Sequence, residues 1–117
     1  MKPVQVVLSP EAGAAYALLE QEAAHHKPMQ SIANAVRRKA ELIKANPHYG
    51  EPLAKRLIPA VFAQKYGATN LFRVELPSYW RLLYTLTNSE DQASIIALVL
   101  AIVDHPTYER LMGYKEK

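Results

Sequence analysis

Residues 71–86 read LFRVELPSYWRLLYTL, and side chains of alternating character run through the whole stretch. Phe72, Val74 and Leu76 alternate with Leu71, Arg73 and Glu75. After Pro77-Ser78, Trp80, Leu82, Tyr84 and Leu86 alternate with Tyr79, Arg81, Leu83 and Thr85. A period of two is that of a pleated strand with one face on a core, so the stretch predicts two antiparallel strands joined near Pro77-Ser78. A two-residue hairpin needs positive φ at its centre, which proline forbids and serine disfavours, so a three-residue or bulged connection is expected. If Leu76 pairs with Trp80, the aromatic and aliphatic residues share the core face and Arg73, Glu75 and Arg81 emerge together on the other. A slip of one residue would instead drive arginines into the core.

Working outward, Val4 to Leu8 is a β-branched run ending at Ser9-Pro10-Glu11, where an N-cap serine, a first-turn proline and an acid announce a helix. Ala12, Ala15, Tyr16, Leu19 and Ala23 recur at helical spacing. The pattern breaks at His25-His26 and Lys27-Pro28, then resumes with Met29, Ile32, Val36, Ala40 and Ile43 until Asn46-Pro47 ends it. These two segments read as an αα-hairpin. Arg37, Arg38, Lys39, Glu41 and Lys44 fall on its polar side, as a solvated face or as contacts to phosphate or a partner protein. His48 to Pro52 reads as a turn, Leu53 to Ile58 as a short strand carrying Lys55 and Arg56, and Pro59 to Thr69, with Lys65, as a long surface loop. Ser94 to Val103 is apolar on both faces and reads as a central strand, followed by a short terminal helix from about Pro106 to Met112 that Gly113 closes.

At 117 residues, half of them hydrophobic and about a fifth charged, the chain is expected to form one α+β domain over its full length, 1–117. Without cysteine there are no thiolate ligands, disulfides or cysteine nucleophiles, and no stretch has the length of a signal peptide or membrane span. A soluble, cytoplasmic protein with no membrane partner is expected. The net charge of +3 favours a polyanionic partner without establishing one. Histidines at 25, 26, 48 and 105 lack the spacing of metal ligands, and neither a glycine-rich phosphate loop nor a serine nucleophile elbow occurs. No metal and no cofactor are expected.

What remains is a set suited to metal-free RNA cleavage, in which a 2′-hydroxyl attacks the neighbouring phosphate. That reaction needs a base, an acid for the leaving 5′ oxygen, and fixed cations. Glu51 and His105 can exchange protons near neutrality; Arg73 and Arg81 can serve only as fixed cations. Each also has a structural explanation: Glu51 as a turn acid, His105 as a helix-start residue, Arg81 in a surface pair with Glu75, Tyr108 as core packing.

The order of strand, helix hairpin and meander, with Leu71-Phe72-Arg73-Val74, Tyr79-Trp80-Arg81-Leu82-Leu83-Tyr84 and Val103-Asp104-His105-Pro106-Thr107-Tyr108, resembles the RelE/ParE toxin superfamily from Val4 to about Tyr114. Trp80 stands where the family usually has tyrosine before the arginine. The resemblance implies an N-terminal strand and αα-hairpin packed on a twisted, mainly antiparallel four- to five-stranded sheet, with a site on the open sheet face. It also implies a toxin that cleaves mRNA on the ribosome and a cognate antitoxin covering the sheet face or displacing the terminal helix. Gly50-Glu51-Pro52-Leu53 is similar to the Glu-Pro-Leu of the YoeB subgroup, which makes Glu51 the base and His105 the acid. Arg81 matches the phosphate-binding arginine, Arg73 falls near a second one, and Tyr108 is the candidate for stacking on a base or touching phosphate. Lys55, Arg56 and Lys65 are the expected RNA-backbone contacts. The ParE branch, which poisons DNA gyrase without catalysis, and an orphan homologue that only binds are the alternatives. The extension beyond His105, including Gly113 to Lys117, departs from the YoeB pattern and is expected to bear on the site.

Overall fold

The computed structural model describes residues 2–113. Strand β1 (Val4–Leu8) leads into helices α1 (Pro10–Ala23) and α2 (Lys27–Ala45). The two-residue strand β2 (Glu51–Pro52), a 3₁₀ turn at Lys55–Leu57 and helix α3 (Ala60–Tyr66) follow. Strands β3 (Phe72–Glu75), β4 (Arg81–Asn88) and β5 (Ile95–Val103) and helix α4 (His105–Met112) complete the α+β fold. The five strands form one mixed sheet in the order β1-β5-β4-β3-β2, antiparallel except where β1 runs parallel to β5. None of the helices among the described residues is long and apolar enough to cross a membrane.

Alternation in the meander sorts the side chains as its sequence requires. Phe72, Val74, Leu76, Trp80, Leu82, Tyr84 and Leu86 pack into one core with Ala12 and Leu19 of α1 and Ile32, Val36 and Ile43 of α2. The Leu76 amide bonds the Trp80 carbonyl at 2.9 Å, closing a three-residue connection. Within it Ser78 and Tyr79 both take left-handed backbone, at φ 61 and 62. The positive φ that a hairpin turn demands has moved one residue past the proline, onto side chains that adopt it at a cost.

β5 is apolar on both faces because both are covered. Ala97, Val99 and Ile102 enter the first core, while Leu98, Leu100, Ala101 and Val103 join a second one with Leu57, Phe62, Leu71, Leu83, Tyr108 and Met112. Between Leu83↔Ala101 and Tyr84↔Val99 the register shifts by one, leaving Leu100 as the extra residue. This bulge lets two consecutive residues, Leu100 and Ala101, face the second core. Ser9 anchors it: its amide bonds the Val99 carbonyl at 2.9 Å and its hydroxyl donates to the Leu100 carbonyl at 3.2 Å. The same hydroxyl accepts the Ala12 amide at 3.0 Å, so one buried oxygen caps α1 and satisfies the bulge.

Three expectations are corrected. Residues 53–58 are not a strand: past Pro52 the last ladder bond is Leu53 N–H to the Leu71 carbonyl, and the chain curls into the 3₁₀ turn that buries Leu57. Residues 59–69 are not a loop, since α3 starts after Pro59, buries Phe62 and ends at Gly67 in the left-handed conformation. Glu51 and Pro52 lie in an edge strand rather than a turn, where proline costs no ladder bond.

Replacing Ser9 with alanine should lower unfolding free energy by about 1–3 kcal/mol, since it removes a helix cap and leaves the buried Leu100 carbonyl without its hydroxyl donor. Urea denaturation followed by circular dichroism measures the loss.

Candidate active site

Cross-strand pairing alone assembles most of the site. Glu51 on β2 stands opposite Arg73 on β3, and one pleat further on Glu75 stands opposite Arg81 on β4. All four project from the sheet face away from α1 and α2, because they alternate with Phe72, Val74 and Leu82 of the first core. That face is not open as the family resemblance implies: α3, α4 and residues 53–58 cover much of it through the second core. The polar residues occupy what remains toward the β2 edge.

Arg73 Nη2 donates to Glu51 Oε1 at 2.8 Å, and its Nε lies 3.5 Å from Glu75 Oε2. The other oxygen of Glu75 lies 3.1 Å from Arg81 Nε, so this carboxylate bridges the two guanidinium groups. The arginine side chains are only 18% and 13% exposed, whereas the carboxylates of Glu51 and Glu75 are 61% and 62% exposed. Two sequestered cations are therefore held by two wet anions. Each such contact is screened and contributes at most about 1 kcal/mol.

Tyr108 is the floor beneath both. Only 3% exposed, it lies in the second core, and Arg73 Nη1 donates to its hydroxyl at 2.6 Å. The Arg73 and Arg81 guanidinium carbons lie 5.8 and 5.0 Å from its ring centre, within cation–π range. A ring so deeply packed has no face left for a base, which corrects the stacking role expected for it. Its place in the site is to orient both arginines.

His105 sits at the rim. Asp104 caps α4 by accepting the Thr107 amide at 3.0 Å; the Thr107 side chain, and then this amide, hold the Asp104 carboxyl below its ordinary range. This start of α4 presents His105 to solvent, with its Nε2 3.5 Å from Glu109 Oε1. The imidazole meets the Tyr79 ring edge-on at 6.3 Å between centres, and Arg81 Nη1 donates to the Tyr79 carbonyl. Contacts thus run from Glu51 through Arg73, Tyr108 and Arg81 to Tyr79 and His105. The histidine joins this series through Tyr79.

On the other flank, Lys39, Tyr49, Gly50, Glu51, Arg73, Val74 and Glu75 line a hollow of about 240 Å³. Gly50 has no room for a side chain: an added Cβ would lie 2.9 Å from Tyr84 Cε1 and 3.1 Å from Phe72 Cβ. The Tyr84 hydroxyl accepts the Gly50 amide at 2.9 Å and donates to the Pro47 carbonyl at 2.7 Å. Burial holds the Tyr84 phenol above its usual range, so it remains a donor. Sequence reading missed Glu75 as the bridge, together with Lys39 and Tyr49 as a wall. Glu75 was legible only as a cross-strand partner of Arg81.

The remaining predicted contacts lie apart. Lys55 and Arg56 are exposed on the 3₁₀ turn. Lys65 of α3 is ion-paired with Glu11 of α1, which also accepts the Tyr66 hydroxyl. Bonds from Lys65 and Tyr66 draw the Glu11 carboxyl down from 4.5 to about 2. Lys65 thereby ties α3 to α1. Among the described residues, no group of three or more His, Asp or Glu side chains could hold a metal ion. Residues 114–117, part of the extension expected to bear on the site, lie outside the described residues. The chain matches no protein-family model, no curated protein and no solved structure.

Three outcomes follow from this geometry. Gly50→Ala should cost about 1–3 kcal/mol by overpacking against Tyr84, read by urea denaturation, and loosen the Glu51–Arg73 pair. The Glu11 pair should contribute stability that is full above pH 4.5 and is lost as pH falls toward 2, because the folded carboxyl is the stronger acid. Lys65→Met should move the Glu11 titration midpoint, followed by NMR, back toward 4.5.

Proposed function

We propose that the chain is a metal-independent endoribonuclease of the toxin type that cuts mRNA on the ribosome by attack of a 2′-hydroxyl on the adjacent phosphate. The observation that carries this reading is the pair of largely buried guanidinium groups over one tyrosine ring, flanked by a carboxylate at one end and an imidazole at the other. A phosphate group is the anion such a pair fits, since two planar forks can contact two non-bridging oxygens. Arg81 Nε is engaged by Glu75 Oε1 at 3.1 Å, so a phosphate would take the place of that exposed carboxylate.

In this reading Glu51 takes the 2′ proton, O2′ bonds to phosphorus, and the P–O5′ bond breaks. His105 in its charged form then gives a proton to O5′. The products are a 2′,3′-cyclic phosphate and a 5′-hydroxyl. In-line displacement requires base and acid on opposite sides of phosphorus; the placement of Glu51 on the β2 edge and His105 beyond the end of β5, with the arginine strands between, supports those roles. Arg73 and Arg81 stabilise the extra negative charge of the transition state. Glu51 and Glu75 must swing aside or be outcompeted as phosphate enters, which their exposure permits. Lys55 and Arg56 supply further backbone contacts. A cytoplasmic setting, mRNA and ribosome as partners and an antitoxin protein belong to the same reading.

The ion pairs favour a second reading. Arginines already neutralised by Glu51 and Glu75 suit a scaffold that binds a protein, such as gyrase, without catalysis. Primer extension on translating ribosomes separates the two: A-site mRNA cuts are expected, with DNA supercoiling by gyrase unaffected. Arg81→Ala should slow cutting about 10²–10³-fold and Glu51→Gln or His105→Gln about 10²–10⁴-fold. Each variant should keep its circular dichroism spectrum. Uncut mRNA with inhibited supercoiling would establish the binding reading instead.

A further inference from the structure

A phosphate held by two arginines joins two nucleosides, and each of their bases needs a place outside the cation pair. Apolar faces of bases leave water most readily onto aromatic rings. The second core withholds Tyr108 from that task, but two other tyrosines stand at the two ends of the site. Tyr49 is 38% exposed and Tyr79 is 75% exposed.

The Tyr49 ring is held through its side chain, and Tyr79 through its backbone. The Tyr49 hydroxyl accepts from Lys39 Nζ at 3.0 Å, with the ammonium 5.4 Å from the ring centre, and both residues share the hollow with Glu51 and Arg73. Tyr79 occupies left-handed backbone, which a bulky side chain adopts only under constraint, and its carbonyl is gripped by Arg81. A large apolar ring carried on strained backbone into solvent is a poor choice for folding. It is a reasonable one for contact with a ligand.

We propose that Tyr49 and Tyr79 are the stacking platforms for the bases on the two sides of the scissile phosphate, an inference that rests on the endoribonuclease reading above. Strand polarity follows from the chemistry. The attacking O2′ belongs to the upstream nucleotide, so its base lies on the Glu51 side and stacks on Tyr49. The leaving O5′ belongs to the downstream nucleotide, whose base lies on the His105 side and stacks on Tyr79. Lys39 lies beside the next phosphate upstream. Rings without base-edge partners stack any base, so the immediate flanks are read with little sequence preference.

A DNA oligonucleotide with a single ribonucleotide tests this, because only that residue carries the attacking hydroxyl and the register is fixed by the chemistry. The chimera is offered free and in the A site of programmed ribosomes. Removing the base of the ribonucleotide should lower kcat/KM about 5- to 150-fold for the unmodified protein and change nothing further in Tyr49→Ala. Removing the next base downstream should do the same, with Tyr79→Asn as the insensitive variant; asparagine tolerates the left-handed backbone. Tyr49→Phe and Tyr79→Phe should retain the dependence on the base. Base and tyrosine effects that simply multiply, in a protein that cuts the chimera, would overturn the platforms and leave the nuclease reading standing. A protein that neither binds nor cuts it in either setting would overturn both.

Discussion

β5 has to be buried on both sides, and its bulge at Leu100 is what makes that possible. Simple alternation would send Ala101 to the α1–α2 side; the extra residue re-phases the strand so that Leu100 and Ala101 both serve the second core while Ile102 returns to the first. Ser9 satisfies the displaced carbonyl and starts α1 with the same hydroxyl, so the bulge and the helix hairpin hang on one buried oxygen. The second core then receives α3 and α4, and α4 brings Tyr108 beneath the meander arginines. Without that re-phasing the site would lack its floor.

The arginines illustrate how a small protein carries cations on a partly buried sheet face. Full burial of an unpaired guanidinium would cost more than a domain of this size can spare. Here both guanidinium groups lie over the Tyr108 ring while exposed glutamates approach them from solvent. Because each carboxylate is well hydrated, its grip is weak, and a phosphate can compete for the same nitrogens. An arrangement of buried glutamates would hold the arginines more firmly and exclude any such competitor.

Much of this was legible from patterns of two and of three to four. The register of Leu76 with Trp80, the shared face of Arg73, Glu75 and Arg81, the double coverage of β5 and the helix hairpin follow from alternation and capping alone. Helix α3 escaped because seven residues with one buried phenylalanine show no period, though Gly67 at its end was a cue. Residues 53–58 form a short run with apolar ends that Pro59 stops, enough to suggest a strand, but a strand needs a neighbour, and no local pattern says that the sheet edge has run out. Within the site, Arg73, Arg81 and Glu51 come together because pairing dictates it. The burial of Tyr108 and the engagement of Lys65 with Glu11 depend on where α3 and α4 dock, which is a tertiary fact.

The Tyr84 hydroxyl clasps both ends of the short segment from Pro47 to Gly50, which carries Tyr49 and leads directly into Glu51. The clasp belongs to β4, the same strand that carries Arg81.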